Sequence, residues 1–291
     1  MNGILLMDKP PEWTSHDVIG KLRGLLRLRR IGHAGTLDPM ATGLLTIFVG
    51  RATRAVEFAE AEKKTYIARL RFGLTTDTQD TTGRVLETSS KCVSREDLEA
   101  ILPQFCGEIS QIPPMYSAIK IDGQRLYKLA RQGIEVARKA RPVTVHKLVL
   151  LGQTEGEFEL EITCSKGTYI RTLCHDIGGV LGCGGAMSAL RRTQVGAFSV
   201  DESFTIEALQ AAEDRTQFIK PLDTLFSAYP ALTVDRQQEQ GIRNGQTVQI
   251  AKRPPGRVRV YGSSGVFLAF GEIVPGPKLI IIKSFFEPNL H

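Results

Sequence analysis

A turn-rich stretch followed directly by a continuous apolar run constrains this chain more than any other feature. Residues 32–45 read GHAGTLDPMATGLL, and they include three glycines, one proline and two threonines. Pro39 disfavours helical backbone at Asp38, so a loop is expected here. Residues 44–49, LLTIFV, are typical of a strand buried on both faces. Asp38 is therefore predicted on a rigid loop beside a core strand, a common position for catalytic side chains, although an ordinary Asp-Pro turn gives the same pattern.

Length and composition indicate a globular protein with one large and one small domain. The chain has 291 residues, of which 42% are apolar and 23% charged. It has no apolar run of the roughly 20 residues that cross a bilayer and no basic leader, so we expect a cytoplasmic protein without membrane contact. Five cysteines at scattered positions form no CxxC pair, which argues against disulfides and against a structural metal site.

The basic residues are concentrated in two parts of the chain. Net charge is +6, residues 21–30 carry five cations and no acid, and residues 120–147 carry eight cations against two acids. Such local excesses favour a polyanionic partner, and nucleic acid is the commonest one. Solvated helix faces are the alternative explanation for either cluster alone.

Hydrophobic periodicity predicts a mixture of helices and strands. A helix capped by Thr14 or Ser15 is expected to run to about Arg29, and a helix is expected over 123–133. Strands are expected over 64–72, 117–121 and 157–163, the last with strict alternation. Beyond Tyr229 short strands separated by glycine and proline predict a small β-rich module over 247–250, 257–261, 266–270 and 279–282.

Three sequence blocks carry a family resemblance. They are the GHxGTLDPxATGLL stretch at 32–45, the pattern KTY at 64–66 followed by GxxTxTxDxxG at 73–83, and SKGTYIRTL at 165–173. Together they closely resemble the bacterial tRNA pseudouridine synthase B family. The resemblance is specific over residues 3–200, and Asp8-Lys9-Pro10 and Leu190-Arg191-Arg192-Thr193 extend it. It is weak over 230–291, which is similar to the small RNA-binding domains of the PUA type.

The resemblance implies an α+β fold and a division into domains. The expected catalytic domain, 1–228, has a mixed, mainly antiparallel central sheet flanked by helices, with an RNA-gripping insertion around 105–147. The expected PUA-like domain is 229–291.

The resemblance also implies site residues. The aspartate matching Asp38 is the family's nucleophile, Tyr66 lies against the target base, and Arg171 pairs with Asp38. A neighbouring guanidinium favours the ionised form that a nucleophilic carboxylate needs. Further substrate-binding candidates are His33, Lys9, Lys64, Tyr169, Leu190, Arg125 and Arg131. His33 would fill the space that the extruded base leaves, or it is a packed loop residue.

The implied activity is isomerisation of one uridine, position 55 in the T-loop of tRNA, to pseudouridine. This reaction has no redox change and requires no cofactor and no metal. The expected partner is the T-stem-loop of tRNA, and the expected state is a monomer. Three alternatives stay open: an RNA-folding chaperone on the same fold, a guide-dependent pseudouridine synthase, and a glycosidase. The glycosidase would need a second acid beside Asp38, and only Asp8, Glu12 and Asp17 are near in the sequence.

Overall fold

The computed structural model describes residues 1–121, 123–154 and 156–287. Residues 288–291, the last four of the predicted C-terminal domain, lie outside the described residues. The strands of the described part of 1–228 are β1 Gly3–Lys9, β2 Ile31–Ala34, β3 Thr42–Val49, β4 Lys64–Phe72, β5 Leu74–Thr76, β6 Val85–Thr88, β7 Gly107–Gln111, β8 Lys120–Ile121, β9 Gln124–Arg125, β10 Arg141–Thr154, β11 Glu157–Cys164, β12 Gly185–Val195 and β13 Phe198–Ser199. The α-helices are α1 Ser15–Leu26, α2 Val56–Ala61, α3 Arg95–Ile101, α4 Leu126–Arg131, α5 Ile170–Val180 and α6 Ile206–Ala211. Short 3₁₀ helices are Gly50–Ala55, Leu102–Phe105, Val200–Glu202, Arg215–Phe218 and Leu222–Phe226.

A nine-stranded sheet forms the centre of the molecule. Its strand order is β1-β3-β12-β4-β11-β10-β7, and β2 and β13 are added beside β3 and β12. The β3–β12 pair is parallel, whereas the remaining pairs between the described strands of this sheet are antiparallel. The predicted α+β fold with a mixed, mainly antiparallel sheet is therefore confirmed.

Burial of the strands follows the sequence pattern. All residues of β3 from Gly43 to Val49 are buried, as the continuous apolar run predicts. In β11 buried and half-buried residues alternate, and Phe158, Leu160 and Ile162 point into the core. β4 lies between β12 and β11, so Tyr66 is located in the middle of the sheet.

Helix α1 begins where its sequence predicts and ends earlier. The Thr14 hydroxyl accepts from the Asp17 amide at 3.1 Å, and the Asp17 carboxylate accepts from the Thr14 amide at 2.8 Å, which completes a capping box. The helix ends at Leu26, because Arg27 adopts a left-handed backbone conformation with φ of 53°. The predicted end at Arg29 is thus three residues too late.

The part of the chain that leaves the central sheet is shorter than the predicted insertion of 105–147. β7 pairs with residues 141–145 of β10, so 107–111 and 141–147 of that range belong to the sheet. The described residues between these two stretches, 112–121 and 123–140, lie outside the sheet and are here called the peripheral segment. The predicted strand over 117–121 is reduced to β8, which pairs with β9 in a two-stranded hairpin, and α4 starts only at Leu126. Gly123 in the turn has a φ of +80°, which ends the extended chain early.

The C-terminal residues form a separate five-stranded sheet, which confirms the predicted β-rich module. Its elements are β14 Ala231–Thr233, α7 Arg236–Arg243, β15 Val248–Gln249, β16 Gly256–Tyr261, β17 Phe267–Val274 and β18 Lys278–Ser284. Helix α7 was not predicted, because Ile242 is the only large apolar residue in it. Its start was readable, since Asp235 and Gln238 form a capping box.

The two sheets share one apolar cluster. Phe226 stacks on Phe270 with ring centroids 4.5 Å apart, and Phe58 contacts both rings edge-on. Phe48 of β3 and Phe285 belong to the same buried cluster. Side chains after residue 228 therefore complete a hydrophobic core that is formed partly by side chains before residue 228.

No helix in the part of the chain that the structure describes is long and apolar enough to span a membrane.

Candidate active site

The loop that carries Asp38 connects β2 to β3 and is fixed at several points. The Ser15 hydroxyl at the start of α1 accepts from the Leu37 amide at 3.0 Å, and Leu37 itself is buried. The Ala41 amide donates to the Asp38 carbonyl at 3.1 Å and closes a turn. Gly43 has a φ of +97°, and a Cβ atom there would lie 2.3 Å from the Arg192 carbonyl oxygen. Only glycine fits at that crossing, which explains part of the glycine-rich sequence.

Arg171 binds the Asp38 carboxylate through two contacts. Its Nε lies 3.0 Å from Asp38 Oδ2, and its Nη2 lies 3.4 Å from Oδ1. The Arg171 side chain is only 6% exposed, whereas the Asp38 side chain is 39% exposed. The carboxylate is thus oriented by a buried guanidinium and remains open to solvent on one side.

The other Arg171 donors are also bound. Nη1 donates to the Thr78 carbonyl at 2.9 Å and lies 3.5 Å from Asp80 Oδ2, and Nη2 donates to the Tyr116 carbonyl at 2.8 Å. A guanidinium has five N–H donors, and five acceptor oxygens surround this one. Arg171 therefore joins the Asp38 loop, the loop after β5 and the peripheral segment in one arrangement.

Asp80 is a site residue that sequence reasoning missed. It is 4% exposed, and its Oδ1 accepts from the Thr78 hydroxyl at 2.8 Å, the Thr82 amide at 3.0 Å and the Thr82 hydroxyl at 2.6 Å. The sequence did contain a signal for it, because threonines stand two positions before and two positions after this aspartate and can hydrogen-bond to its carboxylate. This second carboxylate lies close to Asp38, contrary to the expectation of no acid other than Asp8, Glu12 and Asp17. Both oxygens of the Asp80 carboxylate already have hydrogen-bond partners. Asp80 is therefore not available as the second catalytic acid that a glycosidase needs.

The environment of Asp38 shifts its proton affinity in two directions. Burial raises the pKa of the Asp38 carboxyl, the nearby Arg171 guanidinium lowers it, and the Asp80 charge raises it again. The net direction is upward. The guanidinium therefore offsets only part of the desolvation of this carboxylate.

Tyr66 and Leu190 form an apolar wall near the aspartate. Both are 8% exposed, and they share a buried cluster with Leu37 and Ala41. Burial raises the pKa of the Tyr66 hydroxyl, with the Arg192 guanidinium and the Asp38 carboxylate as nearby charges, so the phenol is neutral near pH 7. The structure brings these two predicted residues together with Asp38.

Tyr169 lies at the start of α5, two residues before Arg171. Its amide donates to Gln111 Oε1 at 3.0 Å, and its carbonyl accepts from Gln111 Nε2 at 3.2 Å. Burial raises the pKa of its half-buried hydroxyl, which lies near Ser117 and Arg171. Gln111 thus fixes the backbone from which both Tyr169 and Arg171 extend.

His33 is half-buried on β2, beside the aspartate loop. Its ring lies edge-on to His16 with centroids 5.6 Å apart, and its Nδ1 has no hydrogen-bond partner among the described residues. Burial, together with the charges of His16 and Arg192, lowers its pKa to about 4. The ring is therefore neutral near pH 7, which fits a space-filling contact better than proton transfer.

Lys9 and Lys64, two of the predicted substrate-binding residues, are both buried beneath the surface. Lys9 is fully buried, and its ammonium donates to the carbonyls of Pro10, Trp13 and Pro39 at 2.8, 2.6 and 3.1 Å. Lys64 is 6% exposed, and its ammonium donates to the Glu60 and Glu62 carbonyls, each at 2.7 Å. Burial lowers the pKa of each to about 8. A third carbonyl, that of Ala59, lies 3.5 Å from the Lys64 ammonium, so three backbone acceptors surround each ammonium group.

Arg125 and Arg131 lie on the surface of the peripheral segment. Their guanidinium carbons are 6.0 and 5.6 Å from the centre of the Tyr127 ring. The structure does not place them at Asp38. The segment that carries them reaches the site through Tyr116, whose carbonyl accepts from Arg171, and through Ser117, which lies near the Tyr169 hydroxyl. Among the described residues no group of three or more His, Cys, Asp and Glu side chains could hold a metal ion.

Comparison with known proteins agrees with this architecture. The most similar solved structures include the Cbf5-Nop10-Gar1 complex, with a TM-score of 0.75 and 25% identity over 99% of this chain and 86% of that one. Another is an H/ACA RNP bound to a substrate RNA containing 2'-deoxyuridine, with a TM-score of 0.73 and 22% identity over the same shares. The fold of this chain is thus similar to the fold of these two structures.

Family models cover most of the chain. Residues 23–170 match the N-terminal domain of the TruB family of pseudouridylate synthases. Residues 171–227 match the tRNA pseudouridylate synthase B C-terminal domain, and residues 230–277 match the C-terminal region of pseudouridine synthase II TruB.

Individual relatives are similar over most of their length. A tRNA pseudouridine synthase B of Aromatoleum aromaticum is 44% identical over 94% of this chain and 89% of its own. Those of Syntrophotalea carbinolica and Clostridium kluyveri are 47% and 41% identical over 80% and 93% of this chain and 78% and 95% of their own. The chain belongs to the TruB family of pseudouridylate synthases.

Proposed function

We propose that this protein converts one uridine of tRNA to pseudouridine, at position 55 in the T-loop. The observation that carries the proposal is the Asp38 carboxylate, held at two points by a buried guanidinium and still 39% exposed. Its location beside an apolar wall, in a chain that belongs to the TruB family, supports the same activity. No cofactor takes part, since the reaction has no net oxidation.

The reaction breaks the ribose C1′–N1 bond and forms a C1′–C5 bond to the same base. N1 gains a proton and C5 loses one, so atoms and electrons balance. Asp38 attacks C1′, or it assists elimination to a glycal. Either route uses the ionised carboxylate, which Arg171 orients and Asp80 supports through Arg171.

The uridine must leave its stack to reach Asp38. Extrusion of a base costs a few kcal/mol, which stacking on an aromatic ring and contacts to phosphates offset. Tyr66 provides the ring, Leu190 provides the apolar wall, and Tyr169 lies at the start of α5, two residues before Arg171. His33 lies beside the loop, where it occupies the space that the base leaves.

Exposed cations bind the RNA backbone. Arg125 and Arg131 of the peripheral segment are available for phosphates, because both are exposed and neither is paired with a carboxylate among the described residues.

We assign residues 1–228 to the catalytic domain and 229–291 to a PUA-like domain. Breaks between family matches at 227 and 230 support this division. The protein acts as a monomer in the cytoplasm, where its substrate is.

The test is incubation with an unmodified tRNA transcript, followed by mapping of pseudouridine. We expect product at the T-loop with the protein alone and no product with Asp38→Asn, whose tRNA affinity stays within about tenfold of wild type, since the amide keeps the shape but cannot act as a nucleophile. Product from Asp38→Asn would exclude this residue as nucleophile. A protein that binds and refolds tRNA without modifying it would instead be a chaperone. Turnover only with an added guide RNA would indicate a guide-dependent enzyme.

A further inference from the structure

Arg192 is the largest fully buried side chain among the described residues, and the reaction scheme above does not use it. It lies on β12 and is 1% exposed. The preceding residue, Arg191, has a 43% exposed side chain and forms two contacts with the Asp8 carboxylate at 3.0 and 2.7 Å. Two adjacent arginines on one strand thus have opposite surroundings.

The Arg192 guanidinium bonds to both ends of the loop that carries Asp38. Its Nε donates to the Leu44 carbonyl at 2.7 Å, and its Nη2 donates to the Gly35 carbonyl at 3.0 Å. Gly35 precedes Asp38 by three residues and Leu44 follows it by six. A single planar group therefore fixes where the loop leaves β2 and where it enters β3.

Arg192 also lies directly across from Tyr66. The two residues are paired in the register of β12 and β4, and directly opposed side chains on neighbouring strands are in contact distance. The guanidinium lies near the Tyr66 hydroxyl. The same side chain thus contacts the loop of the proposed nucleophile and borders the proposed stacking residue.

The surroundings of the Arg192 charge differ from those of the Arg171 charge. Within the described ranges no carboxylate lies within 4.0 Å of its guanidinium, whereas Arg171 has two. A buried charge without a partner is costly, and two carbonyls alone could be joined by a neutral donor. Joining the two carbonyls therefore does not by itself explain why a positively charged side chain is buried at this point.

We propose that Arg192 is a positioning residue, which holds the Asp38 loop and the Tyr66 side chain in the mutual arrangement that isomerisation requires. The proposal depends on the proposed function, because it assigns Arg192 to the same site. It predicts a loss in turnover rather than in tRNA binding, since Arg192 is too deeply buried to touch RNA. It also predicts that Arg192 and Tyr66 act as one unit.

The experiment measures kcat and KM for pseudouridine formation in Arg192→Met, Arg192→Lys, Tyr66→Phe and the double variant Arg192→Met with Tyr66→Phe. We expect Arg192→Met to lower kcat by about 10²-fold, the loss typical of a small misplacement of reacting groups. KM should stay within about threefold of wild type. In the Tyr66→Phe background the same substitution should cost less than about tenfold, because coupled residues are not additive.

Arg191→Met is the matched control, since it removes an adjacent arginine with the opposite orientation. Its kcat should stay within about threefold of wild type. Arg192→Lys retains the charge but cannot reach both carbonyls, so it should recover part of the kcat lost in Arg192→Met. Melting curves establish that each variant is folded. If Arg192→Met does not fold, Arg192→Lys decides, with about tenfold lower kcat expected and unchanged kcat contradicting the proposal.

Three results would overturn the inference: an unchanged kcat in folded Arg192→Met, a loss confined to KM, or effects of Arg192→Met and Tyr66→Phe that simply multiply. Failure of the proposed function has a separate signature. In that case wild-type protein itself would form no pseudouridine in the assay.

Discussion

Cations in the central sheet and cations in the peripheral segment have the same chemistry and opposite surroundings. Lys9, Lys64 and Arg192 are buried, and carbonyl oxygens accept from their donors. Arg125 and Arg131 are exposed beside the ring of Tyr127. The buried group holds the protein together at the site, whereas the exposed group is available for an RNA backbone.

Desolvation explains why the two groups differ. A buried ammonium or guanidinium must replace every lost water by an internal acceptor, so it has nothing left to offer a ligand. An exposed guanidinium keeps its water and exchanges it for phosphate oxygens when RNA arrives. Substitutions should therefore separate stability and turnover in one group from affinity in the other.

The largest effect is expected for Arg171→Met. Asp80 is buried and would lose its ion pair, so the free energy of unfolding at pH 7 should fall by about 3 kcal/mol. This is the low end of the range for a broken buried pair, because the second partner, Asp38, is partly exposed to solvent. Turnover should fall by about 10²-fold or more, since the carboxylate is no longer oriented. Urea denaturation and single-turnover assays measure the two effects. A variant as stable and active as wild type would contradict the role of Arg171.

The pH dependence of kcat/KM tests the same contact. Burial raises the pKa of Asp38, and the reaction uses its ionised form, so activity should be lost as pH falls through a value above the ordinary 3.8. Arg171 lowers this pKa. In Arg171→Met the acidic limb should therefore move to higher pH, whereas in Arg191→Met it should not move. A limb that stays in place would show that Asp38 does not titrate as the structure indicates.

A smaller effect is expected for Lys9→Met. The substitution leaves the carbonyls of Pro10, Trp13 and Pro39 without their donor, which should cost about 1–3 kcal/mol of unfolding free energy. Binding of tRNA, measured with a folded sample by filter retention, should stay within about threefold, because the ammonium does not reach the surface. A large loss of affinity without a loss of stability would show instead that Lys9 contacts the substrate.

The smallest effects are expected for Arg125→Ala and Arg131→Ala. Each should leave the unfolding free energy within about 0.5 kcal/mol and weaken tRNA binding severalfold. The slope of log affinity against log salt should decrease by about one for each cation removed. Arg95→Ala is the control, since Glu99 already pairs with Arg95 at 2.8 Å. An unchanged salt slope would mean that the peripheral segment does not touch phosphates.

Much of the fold was readable from local pattern. The apolar run after Gly43 became the buried strand β3, and the alternation over 157–163 became β11 with the predicted side chains inside. The start of α1 followed from its capping box. Each of these features depends on residues that are close together in the sequence, and for that reason it could be predicted from the sequence.

What the sequence alone determined is the loop that carries the proposed nucleophile, because glycine and proline impose that backbone locally. Only the tertiary structure decided which cations face water. Nothing in the local sequence distinguishes the buried Lys9 from the exposed Arg125. Long-range pairing of β12 with β3 and β4 buried Arg192 between Tyr66 and the Asp38 loop. Asp80 joined Arg171 for the same reason, since their contact spans 91 residues. Burial is a property of packed strands, and no single stretch of sequence specifies it.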